Sequence, residues 1–342
     1  MARAFMTDPA ETDEREPASR RIGSRLGPAL RRWRDGGWTR GLVPAGAALA
    51  LGAAMILHAE VPNAVGNLGS LWETFLPWGG LLVPVLLTAA VLRRSFTALL
   101  ALLLPVVVWL DLFGGLFSDK TAAGGDLTVV THNVDAANPD PRGAARQLAG
   151  SGADVLALQE IAGARVPLYE QELADAYPYH TVQGTVGLWS RHPLRDTAPV
   201  DIGMGWKRAL RSTVEAPQGD VAVYAAHLPS VRVEFRSGFT AGRRDDAARM
   251  LGRTIAADPA DRVVLLGDLN GTMNDRALAP VTAQMRSTQG AAGAGMGFSW
   301  PAGFPMARID QIMVKGLEPV SSWTLGGTGS DHLPVAATVD LP

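Results

Sequence analysis

The 342-residue chain has no cysteine, which rules out a disulfide framework, a thiolate metal site and a cysteine nucleophile, and gives no clue to redox compartment. It also lacks basic charge where a nucleic-acid partner would need it. Residues 121–342 carry 19 basic and 23 acidic side chains, so they have no cation surplus to displace counterions from a phosphate backbone. Double-stranded nucleic acid is therefore not an expected partner. No glycine-rich phosphate loop, internal repeat or low-complexity tract is visible, and no serine stands beside a recognisable base.

Apolar residues, by contrast, are plentiful: 47% of the chain is hydrophobic, more than a purely soluble enzyme needs. Much of the excess lies in three runs, 41–59, 74–92 and 95–117, with Asp111 the only charged side chain among them. Each approaches the length that crosses a bilayer. Seven arginines against Asp35 fill residues 20–40, and Arg93-Arg94 separates the second run from the third. By the positive-inside rule both clusters are cytoplasmic, which predicts three crossings and an extracytoplasmic remainder. A secretory signal peptide is the competing reading of residues 20–59, but about forty residues before the apolar run is long for an n-region. The expected organisation is a disordered, basic cytoplasmic tail over 1–40, a membrane region over 41–117, and a globular domain over 122–342.

Within that domain, strands are predicted at 127–134, 154–160, 185–190, 221–227, 262–267, 308–314 and 334–339, and helices at 141–149, 166–176, 244–256 and 275–285. Residues 211–227 read as a hairpin turning at 216–220. Polar groups follow the apolar strands: Thr-His-Asn-Val at 131–134, Leu-Gln-Glu at 158–160, His-Leu at 227–228, Gly-Asp-Leu-Asn at 267–270, Arg-Ile-Asp at 308–310 and Ser-Asp-His at 330–332. A buried scaffold with polar residues at its strand ends is a natural place for a site. Taken singly, each has an ordinary reading. Glu160 can be a solvated strand-end carboxylate, Asn133 a turn residue, Asp268 and Asn270 an Asx-turn closing a strand, and His227 a structural histidine. Asp268 and Asn270, two apart, would share one face of an extended chain.

Together and in this order, the six motifs resemble the endonuclease/exonuclease/phosphatase superfamily, which includes apurinic endonucleases, DNase I, sphingomyelinases and inositol-phosphate phosphatases. The resemblance spans roughly residues 126–342 and implies an α/β fold, a four-layer sandwich of two central sheets flanked by helices. Phe-Ser-Trp-Pro-Ala at 298–302, the Thr-His-Asn-Val start and the apolar prefix further resemble actinobacterial VanJ-type proteins associated with teicoplanin resistance. The resemblance implies Mg²⁺ (Mn²⁺ as an alternative) held by Glu160 with support from Asn133, and Asp331 reaching the metal region or a second metal. It implies that Asp268 and Asn270 orient water and a phosphate oxygen, and that His227 contacts the scissile phosphate. His332 would be general base or electrostatic partner, with Asp310 fixing its tautomer. Whether Asp268 or His332 activates the water stays open. His132 reads as a strand residue facing away from Asn133, and His192 as part of a structural turn.

The implied reaction is in-line attack of water on a phosphate ester or phosphoanhydride. Membrane tether, outward orientation and acidic domain favour a lipid-linked substrate, and the VanJ-type likeness suggests a polyprenyl pyrophosphate such as undecaprenyl pyrophosphate. A surface endonuclease or sphingomyelinase-like phosphodiesterase is the enzymatic alternative; a membrane sensor with an inactive hydrolase domain is the non-enzymatic one. Trp206, Phe235, Phe239, Phe298, Trp300 and Phe304 fall in loops, either as an apolar rim for a lipid or as ordinary packing. Arg208 and Arg211, near Trp206, read either as binders of a second phosphate or as ordinary exposed arginines, and are assigned no catalytic role.

Overall fold

The computed structural model describes residues 39–64, 66–234 and 238–342. The expected tail lies outside these except for its last two residues, and Phe235 lies outside them too.

Apolar, β-branched runs make the central strands of two six-stranded sheets. In the first, β1 (Leu127–Asn133) and β2 (Val155–Gln159) run parallel. The antiparallel strands β4 (Val186–Ser190) and β3 (Tyr179–Gln183) extend it beyond β2, and β14 (Val335–Asp340) and β13 (Glu318–Thr324) extend it beyond β1. In the second, β7 (Gly219–His227) and β10 (Val263–Asp268) are the parallel pair. β6 (Ala209–Ala216) and β5 (Leu194–Pro199) lie beyond β7; β12 (Asp310–Lys315) and β11 (Arg286–Ser287) lie beyond β10. A two-stranded ribbon, β8 (Val233–Glu234) and β9 (Gly238–Phe239), stands apart.

The sheets face each other through alternating apolar positions: Val129, Val155 and Ala157 of the first, Val223, Val264 and Ile312 of the second, all fully buried. Outside the second sheet, the helix Gly242–Ala257 buries Ala247, Ala248, Leu251 and Ile255. Outside the first, Pro141–Ala149 and Val166–Leu173 bury Leu148, Tyr169 and Leu173. Pro141–Ala149 starts where it does because Asp140 accepts a hydrogen bond from the Gly143 amide at 2.8 Å and proline occupies the first turn, where its missing N–H costs nothing. The expected helix–sheet–sheet–helix layering is present.

All seven expected strands form, with ends within two residues of expectation. The hairpin is tighter, pairing Ala216 with Gly219. The helix expected over 275–285 breaks, because Asp275 caps a 3-10 turn, Arg276–Leu278, and Pro280 opens a separate short helix, Ala279–Thr282.

The apolar region differs from expectation. One helix, Phe96–Leu116, with 21 residues and mean hydropathy 2.3, is long and apolar enough to cross a membrane. Leu42–Ile56 has 15 residues, short of the roughly 20 a span needs. The second run lies almost wholly in Leu76–Leu92, which meets Leu68–Thr74 at 74°, so that the two reach span length only as one bent pair; Pro77, which disfavours helix in the residue before it, stands just past the bend. Three full-length spans are therefore not what the described residues form. By contact density the chain divides into two units, Ala53–Gly80 with Val107–Pro342, and the described residues before them with Leu81–Val106. The smaller unit packs through Ala45, Ala48, Ala90 and Ala98, small side chains that let helices approach closely. The larger contains both sheets and also takes in residues 53–80.

Candidate active site

Strand register assembles the site. β7, β10 and β12 are paired so that His227, Asp268 and Asp310 stand abreast, two at the ends of parallel strands and one at the start of the antiparallel neighbour. β1 ends on Asn133, and Glu160 follows β2. Residues that are far apart in sequence thus converge at one end of the sandwich.

The carboxyl group of Asp268 is buried. Its Oδ2 accepts from Asn133 Nδ2 at 3.0 Å, and its Oδ1 accepts from the Asn270 amide at 2.9 Å. The second bond is the Asx-turn that the Asp-Leu-Asn sequence favours by itself. It coexists with the functional placement, since Asp268 and Asn270 both line the same cavity. Burial pushes the Asp268 carboxyl up from the usual carboxylate range, against the pull of the nearby His332 charge. His332 Nδ1 lies 2.8 Å from Asp310 Oδ2, which also accepts from Ser299 Oγ at 2.6 Å. The other ring nitrogen, Nε2, is 3.8 Å from Asp268 Oδ2. Burial alone would lower the His332 pKa, but the carboxylates of Asp310 and Asp268 outweigh it and raise it to about 10. The ring is therefore an imidazolium clamped between two acids.

His227 Nε2 is 3.5 Å from Glu160 Oε1 and 3.6 Å from Asp268 Oδ2, so both carboxylates point toward one place. Arg208, buried, brings Nη2 to 2.6 Å from Nδ1 and 2.5 Å from Nε2 of the same ring. A guanidinium only donates, so at least one ring nitrogen is unprotonated. Burial first, then the charges of Arg208 and His332, push the His227 pKa well below its usual value. Glu160, Asn270 and Asp135 all hold positive φ, at 60°, 47° and 54°. Such conformations cost roughly 1–3 kcal/mol each and gather where function demands a particular aim. At Glu160 the turn lifts a carboxylate out of the strand and leaves it 30% exposed.

These groups open into a cavity of about 490 Å³ lined by Glu160, Asp268, Asn270, Asp331 and His332. Phe239 and Trp300, expected rim residues, line it as well, while Trp206 lines an adjoining cavity with His227 and Arg208. Phe304 is exposed and lies against Trp78. Asp331 sits at the rim, its side chain 59% exposed and its Oδ1 3.9 Å from His332 Nε2. His132 is buried, bonds Thr328 Oγ1 at 2.7 Å and is pushed down to about 3 by burial, in keeping with a structural role.

Arg208, read from the sequence as a second-phosphate binder or an exposed arginine, is instead buried against His227, and no site role was signalled for Ser299 or for the wall residues Thr74 and Phe75. The last two belong to the segment between the first apolar helices. That segment is fixed to the sandwich by Trp78 Nε1 donating to Met306 O at 2.7 Å, by Trp78 stacking on Phe298 at 5.9 Å, and by the Phe239 amide donating to Gly66 O at 2.8 Å. Pro-Trp-Gly-Gly at 77–80 falls inside an expected apolar run, and nothing in it signals that its indole docks some 230 residues away.

The donor set suits a hard divalent cation. Glu160 and Asp268 offer carboxylate oxygens that converge beside His227, the hard ligands magnesium takes; the Asn133 carboxamide adjoins them, its Nδ2 donating to Asp268 and its Oδ1 accepting from the Asp135 amide at 3.1 Å. Asp268, Asp310 and His332 also place ligand atoms within 4.8 Å of one another. There, however, Asp310 Oδ2 is already engaged by Nδ1 and Ser299, an arrangement that aims the imidazole more than it opens three coordination positions.

The family model described as Endonuclease/Exonuclease/phosphatase family matches residues 130–332, more than half of the chain and the whole of all six motifs. No curated protein sequence matches. Among solved structures, D. rerio TDP2 complexed with a single strand DNA product aligns with a TM-score of 0.54 at 19% identity, covering 63% of this chain and 98% of that one. A conserved protein of unknown function from Enterococcus faecalis V583 aligns with a TM-score of 0.52 at 16% identity, over 62% and 99%. Beta toxin from Staphylococcus aureus aligns with a TM-score of 0.50 at 15% identity, over 62% and 99%. At these identities the likeness is one of fold.

Proposed function

The chain belongs to the endonuclease/exonuclease/phosphatase family, and from that premise we propose that it is a membrane-anchored, magnesium-dependent phosphohydrolase acting on a lipid-linked phosphate. The observation that carries the reading is the shared wall of the catalytic cavity. Glu160, Asp268 and His332 form one side, and Thr74 and Phe75, from the segment that joins apolar helices, form another. A soluble substrate has no need of such a wall; a lipid presented beside apolar helices does.

Glu160 and Asn133 would hold the magnesium ion, with Asp268 adjoining. When bound, the ion supplies charge to the phosphoryl oxygens and acidifies an attacking water. Asp268, whose carboxyl burial makes more basic, takes the proton of that water, since a base is most effective near the working pH. His332, kept charged by Asp310, faces the charge that develops on the phosphoryl group, and Asn270 positions the water. His227, backed by Arg208, binds a phosphoryl oxygen through a fixed donor. Asp331, at the rim, contributes carboxylate charge toward the metal region. In-line displacement then needs no covalent intermediate.

Membrane anchoring is supported by the distribution of exposed apolar groups. Apart from Tyr179, Trp206, Phe304 and Trp323, every exposed large hydrophobic among the described residues lies between Leu42 and Phe117. Water would penalise such a surface and lipid would not. Arginine placement orients the catalytic portion outward, where a polyprenyl pyrophosphate such as undecaprenyl pyrophosphate is the substrate this reading favours, with a link to glycopeptide resistance. The acidic balance of residues 121–342 disfavours a nucleic-acid substrate. The Glu160→Ala variant tests the enzymatic reading: phosphate release should fall about 100-fold or more, and unchanged release would contradict it.

A further inference from the structure

A second cavity, of about 220 Å³, lies on the same unit and contains none of the catalytic carboxylates or imidazoles. Its lining is mainly apolar: Leu112 and Leu116 from the end of the membrane-length helix, with Pro77, Met296 and Phe298. One charged side chain, Arg308, lines it too. Arg308 is only 7% exposed. Its Nη1 donates to Ser287 Oγ at 3.3 Å, while Nε and Nη2 have no partner. Among the described residues no carboxylate forms an ion pair with it; Asp310, two positions along, gives its Oδ2 to His332 and Ser299.

A guanidinium is charged at any physiological pH. Burying one with two donor groups unanswered costs several kcal/mol, and although the nearby Asp310 charge offsets part of this, the fold offers neither group an acceptor. An anion does. The planar fork of Nε and Nη2 matches two oxygens of a phosphate or carboxylate, and the lining beyond it is largely apolar, with Thr74, Thr272, Asn274, Ser287 and Gln311 as its uncharged polar members. Head and tail requirements are thus met by one kind of molecule, at the end of a helix long enough to reach lipid. We propose that this cavity binds a phosphate-headed, single-chain amphiphile, its head on Arg308 and its first methylenes against Leu112, Leu116 and Phe298. The monophosphate lipid left by pyrophosphate hydrolysis belongs to this class, and only that identification rests on the proposed activity.

The test is calorimetric titration of the full chain in phosphatidylcholine nanodiscs with dodecyl phosphate, against inorganic phosphate, dodecanol and empty nanodiscs. EDTA is present throughout, so that the carboxylates of the catalytic cavity, without a cation, repel phosphate. Saturable one-site binding of dodecyl phosphate is expected, weakened about tenfold or more in Arg308→Met and unchanged in His332→Ala. Met296→Trp, which fills the cavity and leaves the guanidinium in place, should weaken it likewise and covers the case in which Arg308→Met does not fold. Equal affinity for inorganic phosphate, equal affinity for dodecanol, loss of binding in His332→Ala, or no saturable signal above empty nanodiscs would each overturn the proposal. Phosphate release with magnesium is read separately, so failure here leaves the proposed activity standing.

Discussion

Asp310 is the residue on which the electrostatics of the site turn. Its carboxylate holds His332 at 2.8 Å from a position shielded from water, and with Asp268 it raises that imidazole to about 10 although burial works the other way. A histidine whose folded pKa exceeds its unfolded value of 6.5 stabilises the folded state fully below pH 6.5, and the contribution disappears as pH rises to about 10. Metal-free protein should therefore lose thermal stability across that window, followed by intrinsic fluorescence in detergent, and Asp310→Asn should flatten the loss. A dependence unchanged by Asp310→Asn would mean that another group sets it. The sequence made this pair legible because Arg-Ile-Asp and Ser-Asp-His are compact motifs beside strands. It did not show Ser299, which bonds the same oxygen, or Arg208, which packs on His227. Ser299 lies inside the Phe-Ser-Trp-Pro-Ala motif, but nothing local marks its hydroxyl as a partner of Asp310, and nothing local marks Arg208 as a partner of His227; both contacts come from strand register and loop path.

At the scale of elements, the segment from His58 to Gly80 is the part the sequence explained least. Between apolar runs it looks like a connection, yet its helix Leu68–Thr74 buries Glu73 completely, and Arg276 Nε meets that carboxylate at 3.4 Å. Arg276 also donates to the Ala59 and Val61 carbonyls. Arg276 is partly exposed and burial pushes the Glu73 carboxyl up to about 7, so Glu73 left alone can take a proton, and losing the pair costs about 1–3 kcal/mol. Arg276→Met should lower stability by an amount of that order, and Glu73→Gln in the same chain should restore part of it; a neutral Arg276→Met would show that the segment is not anchored there. Strands were legible according to their burial. Those inside the sheets announced themselves by apolar runs, whereas β3 and β5, mostly exposed edge strands, carry too little hydrophobic signal to be seen. β13, an edge strand with a register shift between Pro319 and Ser321, was missed for the same reason.

For the whole molecule, two properties run along the chain in opposite directions. Exposed apolar surface gathers before residue 117, and catalytic polarity gathers after 130 at the ends of strands. The layered sandwich was legible because its central strands are nearly continuous runs of Val, Leu and Ala; the three expected spans were not confirmed, because run length does not say how much of a run one helix takes up: the first gives only the 15 residues Leu42–Ile56, and the second reaches span length only through a 74° bend at its start. The outward orientation proposed from arginine placement is open to a direct check. A fusion reporter at residue 120 should signal an extracytoplasmic location, and a cytoplasmic signal would remove the outer-leaflet substrate from the account.

The central claim is that the site built around Asp268 and His332 hydrolyses a lipid-linked phosphate. It is tested most directly by phosphate release from undecaprenyl pyrophosphate by the detergent-solubilised full chain with magnesium, beside a phosphodiester lipid and single-stranded DNA, each repeated with His332→Ala. The account predicts release from the polyprenyl substrate that falls about 100-fold or more in the variant and disappears with EDTA; cleavage of DNA alone, or release indifferent to His332, would contradict it.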